Sequence, residues 1–337
     1  VADAPRDVRA IALSPSEDTL CAVCADCQLY SVTIASPTTV KAEDMKPVGS
    51  LFHGGGFEVT GLDTCVRKPL LVTCSLDRTV RVWNYLDHRL ELWKSFSEEP
   101  YSVAFHPSGL HVVVGFSDKL RLLNLLMDDI RMSRELPIKL CREVRFSHGG
   151  QYFAAVSNNI IMVYDFYTCE KVIDLRGHNS KVKSLHWGAD DSTIVSCGAD
   201  GAVYQWDWEE GKRLGEFVQK GTVYHCALGN AESVFAVGSD QMMKELEVPE
   251  LQVVKELDGG VVLGQIALSS AEHMMFAGTS EDGKPGCVRA YSFPLTGDYL
   301  EYACLGAPVT RMRITHDDQY LVVTDRAGCV CIFDVKD

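Results

Sequence analysis

The sequence contains residue types that could form a hydrolytic site. His178, Ser196 and Asp200 supply a general base, a hydroxyl nucleophile and a carboxylate, the three groups of a serine hydrolase triad. A tryptophan, Trp206, follows them, and an earlier stretch carries a second set of the same kinds of side chain: His53, Thr73, Asp77 and Trp83. Because both sets occupy matching places in a repeat, we interpret each as a self-satisfying network of buried polar groups. The sequence therefore predicts structural tetrads and no catalytic residue.

The cysteines could bind a metal. Cys21, Cys24 and Cys27 have the two-residue spacing of zinc or iron–sulfur ligands. However, Cys21 and Cys24 fall in a predicted strand, where residues at odd separations point to opposite faces, and no second Cys or His pair lies nearby. We expect these and the other cysteines to fill strand interiors as small apolar side chains. No metal site is predicted. The seven others assigned to blade interiors are Cys65, Cys74, Cys141, Cys197, Cys226, Cys329 and Cys331.

Phosphate, nucleic-acid and membrane chemistry are each disfavoured. The glycines of residues 54–56 lack the lysine and helix of a phosphate-binding loop, so no cofactor is predicted. The 46 acidic and 32 basic residues give a net charge of −14, whereas nucleic acid requires a basic surface. The cations of Arg131–Arg145 are mixed with carboxylates, so we interpret this run as an ordinary solvated surface and not as a nucleic-acid site. No apolar run approaches the 18 or so residues of a membrane-spanning helix.

The elements that position these residues form a repeat. Three short runs of alternating apolar and polar residues, separated by turn residues, occur in each of eight copies, which is typical of a small antiparallel sheet. The position of Trp83 and Trp206 recurs at intervals that average 43 residues, the length of one WD40 propeller blade. We therefore predict an all-β fold, a WD40 β-propeller of four-stranded blades. The full series is Val32, Trp83, Leu123, Tyr164, Trp206, Leu246, Tyr291 and Phe333.

The number of blades is left open by the repeat. Eight copies favour eight blades in a single propeller over residues 1–337, with a seven-bladed ring as the alternative if the first copy belongs to a preceding propeller. The last copy ends without a fourth strand, so we expect the ring to close on an N-terminal segment, which removes an exposed sheet edge. Residues 1–7 are few for that role. The chain is accordingly expected to be a fragment of a longer protein.

Binding surfaces are predicted at loops that the repeat does not explain. Phe57 and Trp208 are aromatic residues in predicted loops, and aromatic side chains are enriched at interaction hot spots. His88 and Arg89 lie in one protruding turn, and Lys284 lies in a long hairpin. These five residues are the candidate partner contacts.

Several stretches resemble one family, and two of them, Val114–Arg121 and Leu126–Arg131, contain segments that the propeller pattern does not demand. The stretches are Thr73–Tyr85, Val114–Arg121, Leu126–Arg131, Gly177–Val182 and Ser196–Trp206. They resemble the cilia- and flagella-associated protein 57 family of WD-repeat proteins, and the similarity runs from about Val8 to Val335. The resemblance implies two propellers and a coiled coil in the full-length protein, of which this chain has the features of the second propeller.

The resemblance also implies a function. Such proteins are expected in the axoneme of motile cilia, where they help to dock inner dynein arms and link them to regulatory complexes, so the chain is expected to be a non-enzymatic scaffold. Its acidic charge would repel acidic tubulin, so we expect mainly other axonemal proteins as partners, with tubulin contact confined to local basic spots. The odd number of cysteines, thirteen, favours a reducing cytoplasmic compartment. The alternatives are an adaptor of another intracellular complex, such as a ubiquitin ligase, and an enzyme with an open site.

Overall fold

The chain folds into consecutive antiparallel sheets. The structure is a computed structural model and describes residues 8–14, 19–24, 29–33, 46–47, 53, 56–87 and 89–335. Within each sheet, strands that follow one another along the chain pair with one another. The first sheet comprises β1 (Val8–Leu13), β2 (Thr19–Cys24), β3 (Leu29–Thr33) and β4 (Lys46–Pro47). The short alternating runs of the sequence therefore form strands, as their period of two predicts.

Seven further sheets follow, and we name them blades 1 to 7. Blades 1 and 2 contain β5 (Val59–Thr64), β6 (Leu70–Ser75), β7 (Thr79–Asn84), β8 (Arg89–Ser95), β9 (Ser102–Phe105), β10 (His111–Gly115), β11 (Leu120–Leu125) and β12 (Ile130–Leu136). Blades 3 and 4 contain β13 (Val144–Phe146), β14 (Tyr152–Ser157), β15 (Ile160–Asp165), β16 (Lys171–Arg176), β17 (Val182–Trp187), β18 (Thr193–Gly198), β19 (Ala202–Asp207) and β20 (Lys212–Val218). Blades 5 to 7 contain β21 (Tyr224–Gly229), β22 (Ser233–Gly238), β23 (Met242–Glu247), β24 (Gln252–Asp258), β25 (Leu263–Leu268), β26 (Met274–Thr279), β27 (Cys287–Ser292), β28 (Tyr299–Cys304), β29 (Val309–Ile314), β30 (Tyr320–Asp325) and β31 (Val330–Asp334).

The blades are arranged as a ring around a central channel. The first strand of each blade contacts the first strand of the next, and β29 of blade 7 contacts β5 of blade 1. The first strands therefore surround the channel. The fourth strands form the outer rim, as the alternating exposure along β8 shows. Because the strands of a blade run antiparallel, the first and third turns of every blade emerge on one face of the ring. The second turns and the connections between blades emerge on the opposite face.

Seven blades close the ring, so the favoured count of eight is corrected to the alternative of seven. Arg311 on β29 donates from Nε to the carbonyl of Thr60 on β5, at 2.8 Å, and His53 N donates to the carbonyl of Gly328, also at 2.8 Å. The side chains of Leu62, Trp83 and Val322 pack in one cluster across this junction. The repeat counted eight sheets correctly, but periodicity alone does not reveal which sheet closes on which. The β1–β4 sheet stands outside the closed ring.

The hydrophobic core lies between the blades. Each of the seven buried clusters in the described part of the chain combines side chains of two neighbouring blades. Stability therefore depends on contacts between adjacent blades, as in other repeat proteins. Blade 7 has three strands among the described residues, and the origin of a fourth stays a prediction. No described helix is long and apolar enough to cross a bilayer.

Candidate interaction surfaces

The four polar residues predicted as a tetrad in blade 4 form a continuous hydrogen-bond chain. Trp206 donates from Nε1 to Ser196 Oγ at 2.9 Å, and that oxygen lies 2.9 Å from His178 Nε2. His178 Nδ1 is 3.1 Å from the Asp200 carboxylate. The neutral imidazole with its proton on Nδ1 satisfies every member, because the serine hydroxyl then donates to Nε2. The network joins the end of blade 3 to the second and third strands of blade 4.

The second predicted tetrad, in blade 1, has the same order of contacts. Trp83 Nε1 donates to Thr73 Oγ1 at 2.8 Å, Thr73 Oγ1 is 2.7 Å from His53 Nε2, and His53 Nδ1 is 3.0 Å from Asp77. Arg81 adds a buried cation 3.3 Å from the same carboxylate. Although burial would raise the pKa of Asp77, the hydrogen bond from His53 and the nearby charges hold this pKa below its usual value. Asp77 therefore stays ionised inside the blade.

Neither tetrad is open to a substrate. Ser196 is fully buried and His178 is 3% exposed, and the serine hydroxyl is already engaged by His178 and Trp206. A nucleophile has to reach a carbonyl carbon that is held outside the hydroxyl, which this packing prevents. The hydrogen bonds of His178 with Ser196 and Asp200 therefore stabilise the fold.

The buried histidines predict that the propeller is less stable in acid. Burial, the largest cause, lowers the pKa of His53 and His178, and it lowers the pKa of His186 to about 4. Once unfolded, these rings titrate near pH 6.5 and bind protons that the folded protein does not, so the free energy of unfolding should fall as the pH drops from about 7 towards 4. Urea unfolding across this range measures the slope. His186→Gln should make it shallower, and stability that rises on acidification would contradict this explanation.

Blade 5 contains a polar cluster that the sequence analysis missed. Leu246 occupies the position that tryptophan holds in the two tetrads. Asp240 nevertheless occupies the position of the tetrad carboxylate and forms an ion pair with Lys244, which is 1% exposed. The Lys244 ammonium also lies 5.5 Å from the ring centroid of Tyr224. The sequence signal that could have found this cluster is a lysine or arginine two residues before the Trp position. Arg81 and Arg289 occupy the same position in blades 1 and 6. A buried cation thus replaces the imidazole as the partner of the carboxylate.

The predicted partner contacts separate into two regions. Phe57 is 48% exposed and precedes β5, and Lys284 is exposed in the β26–β27 hairpin, where it pairs with Glu281 at 2.8 Å. Arg326 connects these places, because it pairs with both Glu58 and Asp282. Arg89 begins β8 on the opposite face and pairs with Glu91 at 2.7 Å. His88, its predicted companion, lies outside the described residues.

Trp208 is not available to a partner, which corrects the prediction made from its loop position. Its side chain is 3% exposed, and Nε1 donates to the Asp191 carbonyl at 2.7 Å. The ring packs 4.7 Å from Tyr152 and 5.7 Å from Trp187. The turn after β19 folds back over the junction of blades 3 and 4, so the aromatic ring belongs to the core there.

An apolar surface that the sequence analysis did not identify lies on the face formed by the first and third turns. We call it the apolar arc, and its side chains are between 42% and 95% exposed. All of its members lie in turns of three consecutive blades. They are Val66, Leu86, Leu110, Leu126, Met127 and Tyr167.

Backbone and ring contacts make the centre of the apolar arc continuous. Leu125 N donates to the Leu110 carbonyl at 2.8 Å, which places the β9–β10 turn beside Leu126 and Met127. His111 is joined to Asn124 and lies 5.3 Å from Phe166, whose ring is 5.4 Å from Tyr167. Soluble proteins seldom leave large contiguous apolar surfaces uncovered unless they bind something. Met127 adds a flexible side chain that adapts to a partner.

Five of the seven cysteines that the sequence analysis assigned to blade interiors are buried. Cys65, Cys74, Cys141, Cys197 and Cys226 are buried, whereas Cys329 and Cys331 are partly exposed. Burial raises the pKa of Cys74 and of Cys141 to about 12, so both are protonated thiols at neutral pH. No group of three His, Cys, Asp or Glu side chains in the described ranges is placed to hold a metal ion. Cys27 lies outside those ranges.

Comparison with known proteins identifies the repeat. Two segments, residues 45–84 and 168–207, match the family described as WD domain, G-beta repeat. The two segments end just after Trp83 and Trp206, the tryptophans of the two complete tetrads. They therefore coincide with the copies in which the sequence pattern is strongest.

The chain is similar over almost its whole length to proteins named for association with cilia and flagella. The chain is 43% identical to cilia- and flagella-associated protein 57 of Mus musculus, over 98% of the chain and 26% of that protein. It is 32% identical to cilia- and flagella-associated protein 57 C of Tetrahymena thermophila, over 98% of the chain and 28% of that protein. Echinoderm microtubule-associated protein-like 4 of Homo sapiens is 32% identical over 54% of the chain and 20% of its own length. The chain thus spans about a quarter of the length of the two ciliary relatives.

Proposed function

Because the chain belongs to the cilia- and flagella-associated protein 57 family of WD-repeat proteins, we propose that it is a non-enzymatic scaffold of the motile cilium. The observation that carries this proposal is the apolar arc, a surface that no described residue covers and that is built from turns of three adjacent blades. A propeller holds such turns in fixed positions, so one molecule can orient several partners. The likeness to proteins named for association with cilia and with microtubules supports a cytoskeletal location in the axoneme.

The proposed partners are axonemal proteins, in particular components of the inner dynein arms and of the regulatory complexes linked to them. The net charge of −14 works against a broad contact with an acidic filament lattice, so tubulin contact is proposed only at local basic positions. The turns of the apolar arc also carry exposed charges, among them Lys68, Asp128 and Glu170. The arc therefore suits a partner that covers its apolar side chains and meets these charges at the rim, as in other protein interfaces.

The test is capture of axonemal proteins by the tagged 337-residue chain. The variant Leu126→Ser/Met127→Ser/Tyr167→Ser should reduce binding at least roughly 30-fold, because a truncated hot-spot residue costs about 2 kcal/mol or more. A matched control, Val172→Ser/Val218→Ser/Val254→Ser, alters equally exposed apolar residues on the outer strands β16, β20 and β24 and should bind normally. Thermal unfolding of both variants verifies that the ring is intact.

Two outcomes would contradict the proposal. Equal loss of binding in both variants would show that the apolar arc is not the contact surface. The alternative function, an adaptor of another complex such as a ubiquitin ligase, would be favoured if extracts of non-ciliated cells yielded the same partners through the same residues.

A further inference from the structure

A second surface lies on the opposite face of the ring, where the first strands begin. A cavity of about 310 Å³ opens there at the mouth of the central channel. Residues from the starts of several first strands line it, including Thr60 of blade 1, Lys183 of blade 4 and Arg311 of blade 7. We call this cavity the channel mouth. It shares no residue with the apolar arc and does not depend on the function proposed for that surface.

The charge of the channel mouth is opposite to that of the protein. One glutamate, Glu58, lines the cavity, against five lysine and arginine residues in a chain whose net charge is −14. The cations come from blades 3, 4 and 7 and from the connections before their first strands. They are Arg142, Lys181, Lys183, Arg311 and Arg326.

Carboxylates neutralise some of these cations but not all. Arg311 lies 3.2 Å from Glu143, and Arg326 pairs with Glu58 and Asp282. Within the described part of the chain, Arg142, Lys181 and Lys183 have no ion pair. All three are exposed to solvent in the cavity. Arg142 also lies 4.8 Å from the ring centroid of Tyr101, so its guanidinium is held against an aromatic surface.

The carboxylates deeper in the channel do not neutralise Arg142, Lys181 and Lys183, because arginines of the channel already pair with them. Arg145 lies 2.8 Å from Glu143 and 3.4 Å from Asp63, and Arg313 lies 3.7 Å from Asp63. With Arg311, three arginines thus share two carboxylates, and the interior of the channel is itself in cationic excess. A cleft of one sign with walls of low dielectric constant concentrates its field at the opening.

Lys183 shows the effect of this excess. Although the side chain is open to solvent, partial desolvation in the cavity is the largest cause that lowers its pKa, and the positive charges of Lys181, Arg142 and Arg311 lower this pKa further. The cations therefore repel one another in the unliganded protein, and an anion placed between them relieves that repulsion.

We propose that the channel mouth binds an acidic peptide segment whose carboxylates pair with Arg142, Lys181 and Lys183. These three cations belong to the neighbouring blades 3 and 4, and Arg311 and Arg326 of blade 7 extend the positive charge across the cavity, which fits successive side chains better than a single compact anion. Beside them, Gln265 lines the cavity with a side-chain amide that can bond to a peptide backbone. Tyr101 provides an apolar wall. Electrostatic attraction would also speed association, since charged clefts steer oppositely charged ligands.

The test is fluorescence anisotropy of an end-labelled all-glutamate peptide with the 337-residue chain at low ionic strength. Lys181→Glu/Lys183→Glu should weaken binding roughly tenfold or more, since it removes and reverses two ion pairs. The control Arg131→Glu/Lys171→Glu makes the same change in net charge on the outer strands β12 and β16 and should leave binding within about twofold. Added salt should weaken binding by screening.

Each further probe has a decisive outcome. An all-lysine peptide should not bind, and binding of both peptides alike would overturn the proposal. So would equal weakening by the two charge-reversed variants, because that would reflect net charge and not the channel mouth. Tripolyphosphate that binds at the mouth while the glutamate peptide does not would identify a small-anion site instead. Thermal unfolding checks that each variant is folded, and binding to the apolar arc should be unchanged in Lys181→Glu/Lys183→Glu.

Discussion

Trp206→Ala is expected to lower the free energy of unfolding by roughly 3–5 kcal/mol, as other truncations of large buried aromatic residues do. Trp206 is 2% exposed and packs in the cluster shared by blades 3 and 4. Its indole ring meets Tyr204 edge-on at 5.5 Å and lies 5.6 Å from the Arg213 guanidinium. Alanine leaves a cavity there and removes the donor to Ser196 Oγ. Urea denaturation monitored by circular dichroism measures the loss.

Two further variants separate packing from hydrogen bonding at this position. Trp206→Phe replaces the indole by a smaller benzene ring and removes the N–H, so its cost should be the lost packing plus about 1 kcal/mol for the lost hydrogen bond to Ser196 Oγ. Trp93→Ala makes the same truncation on β8, where the tryptophan is 41% exposed, and should cost much less than Trp206→Ala. Similar losses for Trp206→Ala and Trp93→Ala would show that the tetrad position has no special role in stability.

The strands and the tetrads were predictable because both depend on local sequence. Alternating apolar and polar residues bury one face of a strand, as they do along β8. The tetrads follow from a fixed order along the repeat: a His before the first strand, a hydroxyl on the second, an Asp in the following turn and a Trp on the third. Such networks form wherever all four residue types are present, as they are around Trp83 and Trp206.

The blade count and the burial of Trp208 were not predictable, because each depends on contacts between distant segments. Ring closure rests on pairs such as Arg311 and Thr60, which are 251 residues apart. Trp208 has the sequence context of an exposed turn residue and becomes buried because the turn lies against Trp187 of its own blade and Tyr152 of the previous one. A repeat pattern describes one blade and says little about its neighbours.

The two surfaces proposed for binding were missed for the same reason. Leu110, Met127 and Tyr167 lie in three different turns, and only the folded ring makes these turns neighbours. The cations of the channel mouth are equally dispersed in the sequence, and Arg142 was counted among a run of mixed charges in which Arg131 and Arg134 lie on the outer strand β12. The net charge of −14 does not reveal that the channel is cationic, because the first strands bring Arg145, Lys183 and Arg311 together at the centre of the ring.

Gly215→Ala is expected to destabilise the ring by about 3 kcal/mol or more, at the upper end of what overpacking costs. Gly215 lies on β20, and a Cβ built there would be 1.9 Å from the Pro249 carbonyl oxygen and 3.0 Å from Leu251 Cγ. Both residues belong to the turn between β23 and β24 of blade 5. The nearest atom is backbone, so it cannot rotate away, and blades 4 and 5 have to separate.

Gly306→Ala is the matched control, because no atom lies within 4 Å of a Cβ at that position and its φ is not in the left-handed region. There the substitution should be neutral or stabilise by about 0.4–1 kcal/mol, since alanine restricts the unfolded chain more than glycine does. Opposite signs for the same chemical change, measured by urea denaturation, would locate the cost at the contact between blades. If Gly215→Ala were neutral as well, blades 4 and 5 would not be packed as closely as the 1.9 Å approach requires, and a stability set by contacts between neighbouring blades would be contradicted at this junction.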